Sequence, residues 1–470
     1  MDGYTPRFPR YFGRNPPFYT HPARTMPRRT LLGALLVSLL VLSAEGASIA
    51  LGGSHSCALL TDGTMKCWGW NEFGQLGDGT TTDRTTPVEV SGITTATSIA
   101  LGGFHSALGG AYTGGGHSCA LLTDGTVTCW GRNEFGQLGD GTTDDRTTPV
   151  KVSNITSATS IALGGTHSCA LLTNSTVMCW GRNEFGGLGD GTTTDSTIPV
   201  EVSNITTASS IALGGYSSCA LLTDGTVKCW GRNNYGYLIG DGGTASTTPV
   251  EVSNITNATS IALGGGHSCA LLTDGTMKCW GWNTWYGQLG DGTTTDSTVP
   301  VDVSNITTAS SIALGGRSSC ALLTNNTVMC WGDNPFGGLG DGTTIGHTTP
   351  MEVLGITTAT SIALGRAYSC ALLTDGTVMC WGRNDFGQLG DGTTTDRTTP
   401  VEVSGLYSPL SLSPPPASSG TPPPPPSPPA SSGTPPQPPP PKSFVFLADY
   451  ESSAGRVSVL TAFVTIFMFL

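Results

Sequence analysis

Fourteen cysteines are the most regularly placed chemistry-bearing residues of the chain, and they fall into seven pairs of one spacing. Cys57 goes with Cys67, Cys119 with Cys129, Cys169 with Cys179, Cys219 with Cys229, Cys269 with Cys279, Cys320 with Cys330 and Cys370 with Cys380. Zinc knuckles and redox sites are built from C-x2-C pairs, which do not occur, so disulfides in an oxidising compartment are the expected chemistry. Histidine recurs in L-G-G-x-H-S-C at His55, His117, His167 and His267, whereas Ser217, Ser318 and Tyr368 stand there in the other copies. A position that tolerates Ser and Tyr reads as a hydrogen bond at a strand start, not as a ligand or a catalytic base. The turn L-G-D-G-T-T-T-D offers carboxylate pairs to a calcium ion, such as Asp78 with Asp83, Asp291 with Asp296 and Asp391 with Asp396. It lacks the dense acidic alternation of a calcium loop, and a capped turn is expected instead. Nucleotide-binding, zinc-protease and serine-hydrolase motifs are missing. No cofactor, no metal and no catalysis are therefore expected.

Those residues need elements to position them, and the sequence supplies one unit seven times. The Cys-Ala-Leu-Leu segments start at Cys57, Cys119, Cys169, Cys219, Cys269, Cys320 and Cys370, in steps of 62, 50, 50, 50, 51 and 50 residues. Residues 104–115 lengthen the first step, and an extra aromatic at Trp285-Tyr286 lengthens the fifth. Each unit holds four short apolar stretches between turn residues: Ile-Ala-Leu, Cys-Ala-Leu-Leu, x-x-Cys-Trp and Pro-Val-Glu-Val. Four strands per repeat predict an all-β propeller of seven four-stranded blades over residues 48–405, although the first strand of a unit could still pack in the preceding blade. Within a unit, Thr61-Asp62-Gly63 fits a three-residue hairpin loop closing on Leu60 and Thr64, which sets Cys57 opposite Cys67 at a narrow, non-hydrogen-bonded pair. Seven Trp residues of the Cys-Trp-Gly motif, from Trp68 to Trp381, are expected to pack between blades.

The position after Cys-Trp-Gly reads Trp70, Arg132, Arg182, Arg232, Trp282, Asp333 and Arg383. Equivalent positions of a seven-bladed ring are related by rotations of about 51°, so these side chains should form one circle. Phe73, Phe135, Phe185, Tyr235, Trp285, Tyr286, Phe336 and Phe386 should form a second. Arg and Trp are enriched at binding hot spots, which makes Trp70, Arg132, Arg182, Arg232, Trp282 and Arg383 the candidate ligand-binding residues. The competing expectation is structural, with each arginine paired to the acid two residues on, such as Glu134 or Glu184, or to the next blade.

The repeat H-S-C-A-L-L-T-D-G-T-V-x-C-W-G-x-N-x-F-G-Q-L-G-D-G resembles that of the regulator of chromosome condensation family, across residues 48–405. The resemblance implies a seven-bladed propeller, and the paired cysteines are similar to the variant found in exported members. It also brings a rival function, since the founder of the family is a nucleotide exchange factor for a small nuclear GTPase and binds chromatin.

The flanking segments favour export. Residues 1–30 are basic, and Arg24, Arg28 and Arg29 precede an apolar run from Leu31 to Leu42 and small residues up to Ala47. This pattern reads as a signal peptide over 31–47, or as an uncleaved anchor with the repeats still outside. A Pro/Ser-rich linker over 406–442 should be a stiff spacer. The tail at 443–470 is expected to be a lipid-anchor signal or a membrane segment, unless it is neither. Seven N-x-S/T sequons, at Asn154, Asn174, Asn204, Asn254, Asn257, Asn305 and Asn325, suit the secretory route. The repeats carry 13 basic against 29 acidic side chains, a surface that repels phosphate backbones and argues against nucleic acid as partner. The expected function is non-catalytic binding or adhesion at the cell surface or in secreted form, toward a protein or glycan. A guanine-nucleotide exchange role is the alternative, and a surface hydrolase would need a distinctive blade that the near-identical repeats do not provide.

Overall fold

A computed structural model describes residues 47–103, 116–233 and 240–406. The basic segment, most of the expected export core, the insertion at 104–115, Tyr235, the Pro-rich linker beyond Leu406 and the C-terminal tail lie outside the described residues. The described chain forms 28 strands in seven separate four-stranded antiparallel sheets, each a meander of consecutive strands.

Blade 1 comprises β1 (Ser48–Leu51), β2 (His55–Leu59), β3 (Met65–Gly69) and β4 (Arg84–Glu89), hydrogen-bonded in that order. The first strand therefore stays in the blade of its own repeat, which decides the question of closure: each blade is one continuous stretch of chain. First strands of neighbouring blades touch all the way round, and the last of them, Ala359–Leu364, returns to β1. The fourth strand begins at Arg84, three residues before Pro87. Pro is accommodated because this strand is the outer edge of the sheet, where its missing N–H leaves no ladder bond unmade.

The hairpin register follows the predicted count. Leu60 N donates to Thr64 O at 2.9 Å, and Cys57 lies opposite Cys67. Gly63 takes φ +80°, where a Cβ would also stand 2.8 Å from Thr94 O, so both handedness and space call for glycine. The other blades repeat this register, and every expected cysteine pair is a disulfide. Cys57 is bonded to Cys67, Cys119 to Cys129, Cys169 to Cys179 and Cys219 to Cys229. Cys269 is bonded to Cys279, Cys320 to Cys330 and Cys370 to Cys380, and Cα separations across all seven are 4.0–4.1 Å. The bridges are buried at the centre of each sheet, and seven of them fit an oxidising environment.

Apolar packing runs across the seams. Cys57, Leu59, Met65, Leu76, Val90 and Ile93 of blade 1 enclose Trp130 and Ala120 of blade 2. The closing seam repeats this arrangement, with Trp68, Ile49 and Leu51 of blade 1 packed against Leu372, Val378, Leu389 and Val403 of blade 7. Trp130 Nε1 donates to Gln75 O and Trp68 Nε1 donates to Gln388 O, both at 2.9 Å, so an indole pins each of these seams.

Around the axis, the Leu-Gly-Gly turns approach so closely that a Cβ on Gly53 would lie 2.2 Å from Gly103 O of the next blade. This contact is why the turn is glycine-rich.

Candidate functional site

Strands alternate in direction, so in every blade the connection between strands 1 and 2 and the long loop between strands 3 and 4 emerge on the same face. Backbone bonds tie the two together: Trp70 N donates to Ser54 O, Arg132 N to Gly116 O and Arg182 N to Thr166 O. The long loop is organised by an asparagine that recurs in all seven units. In blade 1, buried Asn71 accepts from Leu76 N at 2.9 Å and donates to Thr80 O and Thr82 O. Its own N–H donates to Asp83 Oδ1 at 2.7 Å. Sequence reasoning passed over Asn71, although its presence in every W-G-x-N was the signal.

The acidic turn serves that loop. Asp78 accepts from Thr80 N, Thr80 Oγ1 and the Arg84 guanidinium. Burial raises the pKa of Asp78, but the Thr80 hydroxyl and Arg84 outweigh it and hold the carboxyl below its ordinary value. Among the described residues no group of three or more His, Cys, Asp or Glu is placed to hold a metal ion.

Among the described residues, which leave out Tyr235, the two expected circles merge into one belt. Each arginine lies over the aromatic ring of the preceding blade: Arg132 over Phe73 at 4.8 Å, Arg182 over Phe135 at 4.5 Å, Arg232 over Phe185 at 5.1 Å and Arg383 over Phe336 at 5.0 Å. Arg132, Arg182 and Arg383 also pair with Glu134, Glu184 and Asp385, two residues on. Trp70 replaces the cation at the closing seam, 5.8 Å from Phe386 and 5.4 Å from Phe73. These arginines therefore have structural partners, and the belt they form is a cation–π stack with acids along its rim.

Blade 6 departs from the pattern. Asp333 occupies the belt position, and the cation comes instead from Arg317 in the connection between strands 1 and 2. Arg317 donates to Tyr286 Oη at 2.8 Å, lies 4.8 Å from the Tyr286 ring centre and 5.8 Å from that of Trp282, and pairs with Asp333 at 3.7 Å. Burial pushes the Asp333 carboxyl up, against the pull of Arg317. Trp282, Trp285 and Tyr286 meet edge to face at 5.9–6.4 Å. Trp285, 76 % exposed and at φ +76°, is the large apolar side chain most open to solvent among those described. Arg317 was not foreseen, and the charge reversal at Asp333 was the clue to it.

The histidines lie below the belt as seam bridges. Ser118 Oγ donates to Gln75 O at 2.8 Å, so its hydroxyl proton is used and His55 Nε2 must donate to it, at 2.9 Å. The same bridge joins His117 to Ser168, His167 to Ser218 and His267 to Ser319. At the closing seam Tyr368 Oη donates to His55 O at 2.6 Å, and burial pushes its phenol up. Burial lowers the pKa of His55 and His267 to about 3 and that of His167 to about 4, from 6.5. A folded pKa below the unfolded one means that the unfolded chain takes up the proton first. The bridges therefore contribute fully above pH 6.5, and their contribution is lost as pH falls through 6.5 toward 3–4. His167→Ser, the residue already present at Ser217, should flatten the fall of unfolding free energy between pH 6 and 4.5 by up to about 1.4 kcal/mol per pH unit. Denaturant titrations of parent and variant across that range check it, and equal slopes would refute the assignment.

Two profiles described as "Regulator of chromosome condensation (RCC1) repeat" match the chain, one of them over residues 62–108, 124–171, 175–221, 224–271, 274–322, 325–372 and 375–409. Among curated proteins, the "Ultraviolet-B receptor UVR8" of Arabidopsis thaliana is 35% identical over 106 residues, 22% of each chain. The human "Probable E3 ubiquitin-protein ligase HERC4" is 34% identical over 113 residues, 23% of this chain and 10% of that protein. The chain thus spans no more than about a fifth of these relatives' length, within the propeller repeats. Among solved structures, Prp20p of Saccharomyces cerevisiae superposes with a TM-score of 0.62 at 20% identity, covering 73% of this chain and 86% of that one. Human WBSCR16 does so with a TM-score of 0.63 at 22% identity, covering 73% and 94%. At those identities the superpositions speak for the fold alone. The seven matches of that profile cover well over half of the chain, each starting at the middle hairpin of a blade and all but the last running on into the next blade, and the chain belongs to the regulator of chromosome condensation (RCC1) repeat family.

Proposed function

We propose that the chain is a non-catalytic binding protein, exposed at the cell surface or secreted, that presents its arginine–aromatic face to a protein or glycan ligand. The observation that carries this reading is the belt itself, a circle of guanidinium and aromatic side chains on one face, continuing into the exposed Trp285 cluster. Such residues contribute most per contact when a partner covers them. The structure of Prp20p is described together with its binding to Gsp1p and histones, so propellers of this architecture do bind other proteins. The seven bridges favour an oxidising site of action over the reduced compartment that an exchange factor for a cytosolic or nuclear GTPase needs.

Arg132→Ala, Arg182→Ala and Trp282→Ala combined should lower attachment of the labelled full-length chain to the surface of expressing cells by at least about tenfold, about 1.4 kcal/mol. Trp285→Ala, which removes an exposed side chain, tests the same face with little risk to folding. If both variants melt as the parent does and attach as well as the parent does, the reading is wrong.

A further inference from the structure

The two faces of the propeller differ in a way that the belt does not account for. Turns between strands 2 and 3 and the connections between blades emerge opposite the belt, and they are tied together there: Ala96 N donates to Gly63 O at 3.1 Å, and Thr123 N to Thr95 O at 3.0 Å. All seven sequons lie on this second face. Asn154, Asn204, Asn254, Asn257 and Asn305 sit in blade connections, Asn174 and Asn325 sit at hairpin tips, and all seven are exposed.

The placement follows the backbone of the repeat, because Ile-Thr follows the connection position in glycine copies such as Gly92 and Gly355 as well as in the asparagine ones. Four of the connection asparagines, Asn154, Asn204, Asn254 and Asn305, hold φ of 57–60°, where Gly92 and Gly355 in the other connections and Gly405 after the last strand take 70–73°. Glycine is the low-strain choice in that conformation and asparagine is among the side chains best tolerated there, so the repeat offers an exposed acceptor amide at this corner with little backbone cost. In blades 3 and 6 the hairpin Asp-Gly-Thr becomes Asn174-Ser175-Thr176 and Asn325-Asn326-Thr327. Ser175 and Asn326 are thereby forced to φ 64° and 67° in place of glycine. Both hairpins keep the threonine, whose Oγ1 donates to the Asn174 or Asn325 Oδ1 at 2.8 Å.

The belt face shows the opposite pattern. The recurring W-G-x-N asparagines have an aromatic two residues on, as Asn71 has Phe73 and Asn133 has Phe135, so the belt occupies the position where Ser or Thr would complete a sequon.

We infer that the chain carries N-linked oligosaccharide on the hairpin-and-connection face only, leaving the arginine–aromatic face bare for its ligand, an inference that rests on the export and binding reading above. In the modification, the asparagine Nδ2 attacks the anomeric carbon of a lipid-linked oligosaccharide diphosphate. The Nδ2–C1 bond forms, the bond from C1 to the diphosphate oxygen breaks, Nδ2 loses one proton and the lipid diphosphate departs with the electron pair. Ala47 and Leu406, where the described chain enters and leaves the propeller, lie on the same face as the sequons, and Lys66 Nζ donates to Leu406 O at 2.9 Å.

The test is secretion of the full-length chain from a eukaryotic cell, with glycopeptide mass spectrometry and attachment to expressing cells as separate readouts. Oligosaccharide should be found at the seven native sequons. Asn154→Gly, Asn204→Gly, Asn254→Gly and Asn305→Gly, which restore the residue used in other blades, should each remove one step of the glycoform ladder. Attachment of the fourfold variant should stay within about twofold of the parent. Thr295→Asn creates a sequon with Asp296 and Ser297 in an exposed belt-face loop, and the sugar added there should reduce attachment at least about tenfold. A secreted product with bare native asparagines overturns the inference. So does a belt-face sugar that leaves attachment intact while the fourfold variant loses it. Occupied native sites on a chain that attaches to nothing would refute the binding reading alone and leave the sugared face standing.

Discussion

Reduction of the seven disulfides is expected to unfold the propeller. Each bridge closes a short hairpin, for which chain-entropy reasoning gives about 2–3 kcal/mol of restriction on the unfolded chain. Seven of them together, about 14–21 kcal/mol, are comparable to or larger than the roughly 5–15 kcal/mol by which a domain is ordinarily stable. The sheets they staple are thin, with one indole and a few aliphatic side chains per seam. All the bridged cysteines are buried, so reductant should act slowly in native buffer and quickly once denaturant opens the blades. Tryptophan emission reports the outcome, because the seven Cys-Trp-Gly indoles are fully buried and should shift to the red as they meet water. A fully reduced chain that kept its native emission and its melting transition would refute the claim that the bridges compensate for the small core.

Trp130→Ala should have the largest effect of any single substitution, destabilising by about 3–5 kcal/mol. The indole fills the seam between blades 1 and 2 and satisfies Gln75 O. A Cβ on Gly77 would stand 2.7 Å from its Nε1, so the surroundings are shaped to the ring and cannot collapse into the space it leaves. By contrast Trp285→Ala, at an exposed site, should change stability by less than about 0.5 kcal/mol. Guanidinium titrations of the two variants under oxidising conditions separate them, and similar midpoints would show that the seams are not held by these indoles.

Much of this fold was legible because its rules are local. Thr61-Asp62-Gly63 determines a hairpin, the hairpin sets the register of Cys57 with Cys67, and the spacing of the repeat gives the number of blades. The same local rule carries over to the bridges of Cys129, Cys179, Cys229, Cys279, Cys330 and Cys380, each ten residues after its partner. What escaped the sequence were partnerships made across seams. That His55 would bridge to Ser118, sixty-three residues on, depends on how two sheets face each other, and a single unit does not encode that. The arginines were placed on their circle correctly, but their stacking on the preceding blade's phenylalanine needs the angle between blades. Arg317 was hidden for the same reason, because it replaces a cation that belongs to another loop of blade 6. Pro87 drew attention to the end of the fourth strand, whereas pairing already begins at Arg84 opposite Gly69.

Because each sheet is one uninterrupted stretch of chain with its staple inside it, an in-frame duplication or loss of a single unit of about fifty codons would add or delete one whole wedge and leave no half-made sheet behind. Propellers that close by lending a strand to the far end lack that freedom, since their junction must be rebuilt each time. Here the near-identity of the units and the sameness of the seams make copy number the variable on which recombination can act, with angular fit around the axis as the limit. A size ladder in steps of one wedge among alleles of the gene would be the genetic trace of this architecture.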